Sequence, residues 1–235
     1  MVLFNFWNKK ENNLSKYLIV VAHPDDELLG VGASVKRLVR EGHEVGCCVL
    51  TGRSPTRENG LPEIANKTHE FLGIKKSYIG DFGCMKLKDA DHYAVVQFIE
   101  QCIKDFEPDV VITHHPTDLH NDHNLTSICC QEAVRLPQRM IGYDKPIVAF
   151  MFMEVKSSTE WALNDAQKKF TPNYYIGVTE EDVKAKIESI KMYKDVIRRH
   201  PHSRSEKAIE ALALVRGSES GNDYAEAFQF VYGVA

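Results

Sequence analysis

The chain lacks a long apolar run, a C-x-x-C pair, a basic excess, an internal repeat and a low-complexity tract. No stretch approaches the roughly 20 consecutive apolar residues that cross a bilayer, so a membrane span is not expected. Residues 1–13 carry aromatic side chains but no continuous apolar core and no small-residue cleavage site, and do not read as a signal peptide. A formal charge of −4 leaves no broad basic face for nucleic acid, although a few local arginines would still suit a small anionic substrate. The six cysteines (Cys47, Cys48, Cys84, Cys102, Cys129 and Cys130) are expected to be reduced core thiols of a cytoplasmic protein. With 43% hydrophobic residues over 235 positions, the chain suits one domain whose core needs no covalent staples.

What is present is an alternation of short apolar runs and amphipathic stretches. Strands are predicted at 17–22, 45–50, 77–79, 109–113 and 146–150, with helices at 26–40, 61–72, 93–106 and 121–135 between them. This order implies an α/β fold, a Rossmann-like, mostly parallel sheet covered by helices on both faces. From about residue 151 the pattern changes into a C-terminal elaboration. It holds an edge strand at 174–178, helices at 181–199 and 205–215, and a short helix or docking segment at 224–231. Residues 1–15 form an N-terminal arm of the same single domain.

The densest chemistry follows the first predicted strand: Ala22-His23-Pro24-Asp25-Asp26-Glu27. A histidine and three carboxylates within five positions repel or compete unless a cation or proton sits among them. Acidic residues also favour a first helical turn for the sake of the macrodipole, and Asp is a good N-cap. The histidine at the strand exit tips the balance toward a divalent metal with nitrogen and oxygen ligands. His23 and Asp26, three positions apart, can turn toward one ion, which leaves Asp25 to act on water.

A second cluster, Thr113-His114-His115-Pro116-Thr117-Asp118-Leu119-His120-Asn121-Asp122-His123, also lies between a predicted strand and a helix. Loops at the carboxyl ends of parallel strands converge on one crevice. Three protein ligands with one open position is the pattern of catalytic zinc, and one histidine of this segment would complete the set begun by His23 and Asp26.

Together, Ala-His-Pro-Asp-Asp-Glu and Asp118-x-His120-x-Asp122-His123 resemble the LmbE/PIG-L family of zinc-dependent N-deacetylases, which remove acetyl groups from N-acetylglucosamine-type sugars and related amides. The second motif departs from the family's usual form at Asn121, where proline is common. The resemblance implies that His23, Asp26 and His123 bind one zinc ion per chain, with other divalent metals able to take the same ligands. It implies that Asp25 is the general base toward the metal's water, that His120 stabilises the oxyanion and donates a proton, and that Asp122 orients His120. Glu27 reads as a supporting or helix-start carboxylate. The activity implied is removal of an N-acetyl group from an amino sugar or sugar conjugate, in a cytoplasmic enzyme that is a candidate homo-oligomer.

The loop after the second strand carries Arg53 and Arg57, suited to sugar hydroxyls or anionic groups, and these are the candidate substrate contacts. The roles of His114, His115, His200 and His202 stay open. His43, His69 and His92 read as surface or helix-end residues, and residues 218–223 as a flexible segment. Two alternatives compete: hydrolysis of another amide or a phosphoester, which usually needs a second metal, and a non-catalytic nucleotide-binding module. Gly30-Val31-Gly32 lacks the third glycine and the loop position of a dinucleotide fingerprint.

Overall fold

The computed structural model describes residues 14–52, 60–143, 145–162 and 169–234. The chain runs β1 (Lys16–Val21), α1 (Asp26–Arg40), β2 (Glu44–Val49), α2 (Leu61–Leu72), β3 (Lys76–Ile79), α3 (His92–Phe106) and β4 (Val110–His114). It continues with α4 (Asn121–Ala133), α5 (Leu136–Arg139), β5 (Ala149–Met153), β6 (Tyr174–Val178), α6 (Glu180–Lys191), α7 (Glu206–Ser220) and β7 (Tyr224–Gly233). One sheet has the strand order β3-β2-β1-β4-β5-β7-β6. Strands β1 to β5 pair in parallel, and β7 is antiparallel to both β5 and β6.

The apolar run of β1 shows why the sheet is covered twice. Tyr17, Ile19 and Val21 enter one core with α1, α2 and α6, while Leu18 and Val20 enter a second with α3 and α4. Both classes are buried because side chains alternate across a strand and neither face meets water. The order of the strands then fixes the site. From β1 the chain moves outward through β2 and β3, then returns to place β4 on the other flank of β1. The loops that leave β1 and β4 therefore open side by side, at the switch point where α/β sheets bind ligands.

The α/β fold is as expected, with boundaries of α1, α2 and β6 agreeing with the sequence reading. Apart from shifts of a few residues at other boundaries, three elements differ. Residues 224–233 are not a helix but strand β7, inserted between β5 and β6. The helix anticipated over 181–199 stops at Lys191, and the chain continues in turns that include Asp195 at φ +60, with Tyr193 and Val196 still buried in the core. Residues 218–220, read as flexible, are the last turn of α7, which ends at Gly221 with φ +74. Among the described residues, no helix is long and apolar enough to cross a membrane.

Candidate active site

The first loop begins where Ala22 leaves β1. Asp25 is the N-cap of α1 with φ +111, a left-handed conformation that is unfavourable for a non-glycine residue. Glu27 supports this turn: its Oε2 accepts from the Asp25 backbone N–H at 3.2 Å, and its Oε1 lies 3.3 Å from His69 Nε2. His69, in the last turn of α2 as its helix-end reading had it, is buried beneath the site and also bonded to Ser77 Oγ at 2.8 Å. Turning the chain at Asp25 lets Asp26 Oδ2 fold back to accept from the His23 backbone N–H at 2.8 Å. Asp26 and Glu27 also occupy the first turn of α1, where the helix dipole favours negative charge.

The second loop brings His123 into the same space from the first turn of α4. His23 Nδ1, Asp26 Oδ2 and His123 Nε2 form a triangle with sides of 3.1, 3.2 and 3.3 Å. All three residues are buried. His120 adds a ring nitrogen within 4.8 Å of those of His23 and His123, and its ring packs 4.7 Å from each of theirs.

A carboxylate backs each histidine of the triangle. His23 Nε2 meets Asp122 Oδ2 at 3.0 Å, and His123 Nδ1 meets Asp118 Oδ1 at 3.2 Å. The Asp122 carboxylate thus lies on His23 rather than on His120, its expected partner; Asp122 meets His120 through its backbone N–H, which donates to His120 Nδ1 at 3.2 Å. Asp122 is pinned further by the backbone N–H of Met85 at 2.6 Å. Asp118, quoted in the motif but given no role, accepts from Ser158 Oγ and from Thr159 Oγ1 at 2.7 Å. Carboxylates on the far nitrogens of ligand histidines fix ring orientation and tautomer and raise basicity.

Burial opposes a charge on His23 and on His123, but the surrounding carboxylates outweigh it. Asp122 and Asp26 hold the pKa of His23 well above the ordinary histidine value, and Asp26 and Asp118 hold that of His123 at about 9. Burial would raise the Asp118 carboxyl, yet His123 brings it down to about 2. The cluster therefore favours positive charge at its centre, which a divalent ion supplies in place of protons.

The donor set fits such an ion. A tetrahedral centre with bonds of about 2.0 Å sets its ligands about 3.3 Å apart, close to the triangle observed here. His23, Asp26 and His123 are the residues that would hold it. His114 is fully buried and stacks on His123 at 4.0 Å, but its Nε2 accepts from the Ala22 backbone N–H at 2.9 Å. That lone pair is spent, and burial pushes the His114 pKa down to about 3, so it serves as a neutral brace between β1 and β4.

The remaining candidates fall elsewhere. His115 bonds Gln229 and Thr117 and packs edge-on to Phe152. His202 Nδ1 accepts from the Arg204 backbone N–H, and Arg216 pairs with Glu154 at 2.7 Å. His92 is exposed and faces Glu132 at 3.0 Å. Arg53 and Arg57 lie outside the described residues. Five cysteines are buried and reduced, as expected; the sixth, Cys84, is half-buried with its sulfur within 4.8 Å of His23 and Asp122 donor atoms. Sequence reasoning gave no role to Ser158 or Thr159, and read residues 200–205, which include Arg204, as a substrate contact or a polar turn between the two late helices. Their contacts join segments 35 to 179 positions apart, and no local pattern signals them.

The sheet and its paired carboxylate–histidine contacts define an α/β protein with a buried histidine–carboxylate cluster at the switch point. Comparison with known proteins agrees. The family model described as PIG-L, GlcNAc-PI de-N-acetylase, matches residues 18–134 of this chain. The diacetylchitobiose deacetylase of Thermococcus kodakarensis is 25% identical over 240 residues, covering 97% of this chain and 87% of its own. Among solved structures, the N,N'-diacetylchitobiose deacetylase of Pyrococcus horikoshii superposes with a TM-score of 0.72 at 21% identity, over 93% of this chain and 84% of that one. The 4-carboxy-2-hydroxymuconate hydratase of Pseudomonas putida superposes with a TM-score of 0.70 at 19% identity, over 94% and 98%. These two superpositions establish the fold alone, which carries more than one chemistry.

Proposed function

We propose that this protein is a divalent-metal-dependent hydrolase that removes the N-acetyl group from an amino sugar or sugar conjugate. The observation that carries the reading is the triangle of His23 Nδ1, Asp26 Oδ2 and His123 Nε2, with Asp25 held next to it in a strained backbone conformation. The family match and the chitobiose-directed relative support N-acetylated sugars as the substrate class. Two nitrogens and one oxygen suit zinc, and iron, cobalt or manganese can take the same donors.

Amide hydrolysis needs an activated water, a stabilised oxyanion and a protonated leaving amine. A bound divalent ion supplies Lewis acidity toward the acetyl carbonyl and lowers the pKa of water. Asp25 takes the proton of the attacking water. His120 accepts the Asp122 backbone N–H at Nδ1, so in its neutral form the proton sits on Nε2, available to the developing oxyanion. The C–N bond breaks as the proton held by Asp25 or the N–H of His120 passes to the nitrogen, releasing acetate and a free amine. Asp118 and Asp122 hold the His123 and His23 rings fixed throughout.

The test is acetate release from a panel of N-acetylhexosamines, free and nucleotide-linked, with and without chelator. Release from at least one member, abolished by chelator and restored by added zinc, is the expected result. Acetate release that persists after the metal is stripped, or its absence across the panel with metal bound at one ion per chain, would overturn the reading.

A further inference from the structure

We infer that Arg204, on the turn entering α7, positions the Asp25 carboxylate for catalysis. The inference rests on the reading of Asp25 as general base and adds a residue from the far end of the chain to that site. Asp25 is 1% exposed, and a carboxylate withdrawn from water is costly unless a cation faces it. Arg204 Nη1 lies 3.8 Å from Asp25 Oδ2, beyond hydrogen-bond length but a close charge contact in a largely dry setting. The Arg204 side chain is 21% exposed, so solvent screens it only in part.

The guanidinium is held independently of Asp25. Its Nε donates to Ser157 Oγ at 2.5 Å. The Arg204 carbonyl accepts from the Arg198 N–H at 3.3 Å, and the next residue, Ser205, caps α7 by accepting from Ala208 N at 3.2 Å. Ser157 has φ +75 and opens the turn whose next two residues, Ser158 and Thr159, hold Asp118 and through it His123. One turn after β5 thus steadies both a ligand histidine and the arginine that faces the base. The work on Asp25 is divided: Glu27 holds its backbone N–H, and Arg204 faces its carboxylate. A displacement of a reacting group by about 1 Å can cost about 100-fold in rate, which gives the contact its value.

The experiment compares wild type with R204A, R204K and S157A, each zinc-loaded, on the best substrate of the panel. For R204A, kcat is expected to fall about 10- to 100-fold while KM stays within about twofold, since a positioning contact acts on the transition state and not on ground-state binding. Metal content and melting temperature are expected to match wild type. R204K should recover part of kcat, and added guanidinium ion should rescue R204A but not D25A. An unchanged kcat in R204A, a rise in KM alone, or loss of metal would overturn the inference. Should R204A not fold, R204K and S157A decide by the same kcat and KM criteria. Should wild type release no acetate, the functional reading falls by itself. Crystal structures of wild type and R204A then decide the positioning: a displaced Asp25 carboxylate supports it and an unmoved one refutes it.

Discussion

Residues 16–133 and residues 149–233 serve the site in different ways. The first part brings in the His23, Asp26 and His123 triangle on the loop or first helical turn that follows β1 or β4. The second part supplies Ser158 and Thr159, which hold Asp118, Arg204, which faces Asp25, and Ser157, which holds Arg204; Ser158 also lies 3.5 Å from His123 Nδ1, the nitrogen turned away from the triangle. Ligands are thus set by short-range geometry, while their orientation depends on a turn and a helix entry reached only after the sheet closes. The comparison implies that loss of a triangle residue removes metal, whereas loss of Arg204 or Ser157 from the second part lowers rate with metal still bound.

The largest effect is expected from His123→Ala, which removes one vertex of the triangle. Elemental analysis should find the purified variant metal-free, with activity at the chelator-treated level. Asp25→Ala comes next: metal content should equal wild type while kcat falls by about 10²- to 10⁴-fold, the range of a lost general base. A metal-free Asp25→Ala protein would place Asp25 among the ligands instead. Asp118→Asn keeps the size of the side chain but weakens the support of His123, so metal affinity or kcat should drop about 10- to 100-fold in competition with a chromogenic chelator. Phe228→Ala, on β7, should leave the kcat of the folded fraction near wild type. It should cost about 3–5 kcal/mol of stability in urea unfolding, because Phe228 is fully buried between the sheet and its helices. A Phe228→Ala protein that is as stable as wild type but catalytically slow would erase the distinction between the two parts.

Legibility followed the same divide. The alternation of buried strands and amphipathic helices up to residue 133 was readable because the apolar run of a buried strand and the 3.6-residue period of a helix are both local patterns. The meeting of His23, Asp26 and His123 was readable because histidines and carboxylates cluster after two of the predicted strands. Strand β7 was not. Tyr224-Ala-Glu-Ala-Phe is locally compatible with a helix, and its partners, Tyr174–Val178 and Ala149–Met153, lie some 50 to 80 positions away. Strand β5 came out three residues beyond its expected start for a related reason: its register is dictated by pairing Val110 with Ala149 and His114 with Met153, not by the apolar run alone.

By itself, the amino-acid sequence determined the α/β class and the two loops whose histidines and carboxylates come together, since both depend on residue type and short spacing. Only the tertiary structure decided which carboxylate backs which histidine, that His114 braces while His123 faces the triangle, and that Arg204 reaches Asp25 across 179 positions. Those contacts are short in space and long in sequence, and the order of strands in the sheet is what brings them within reach.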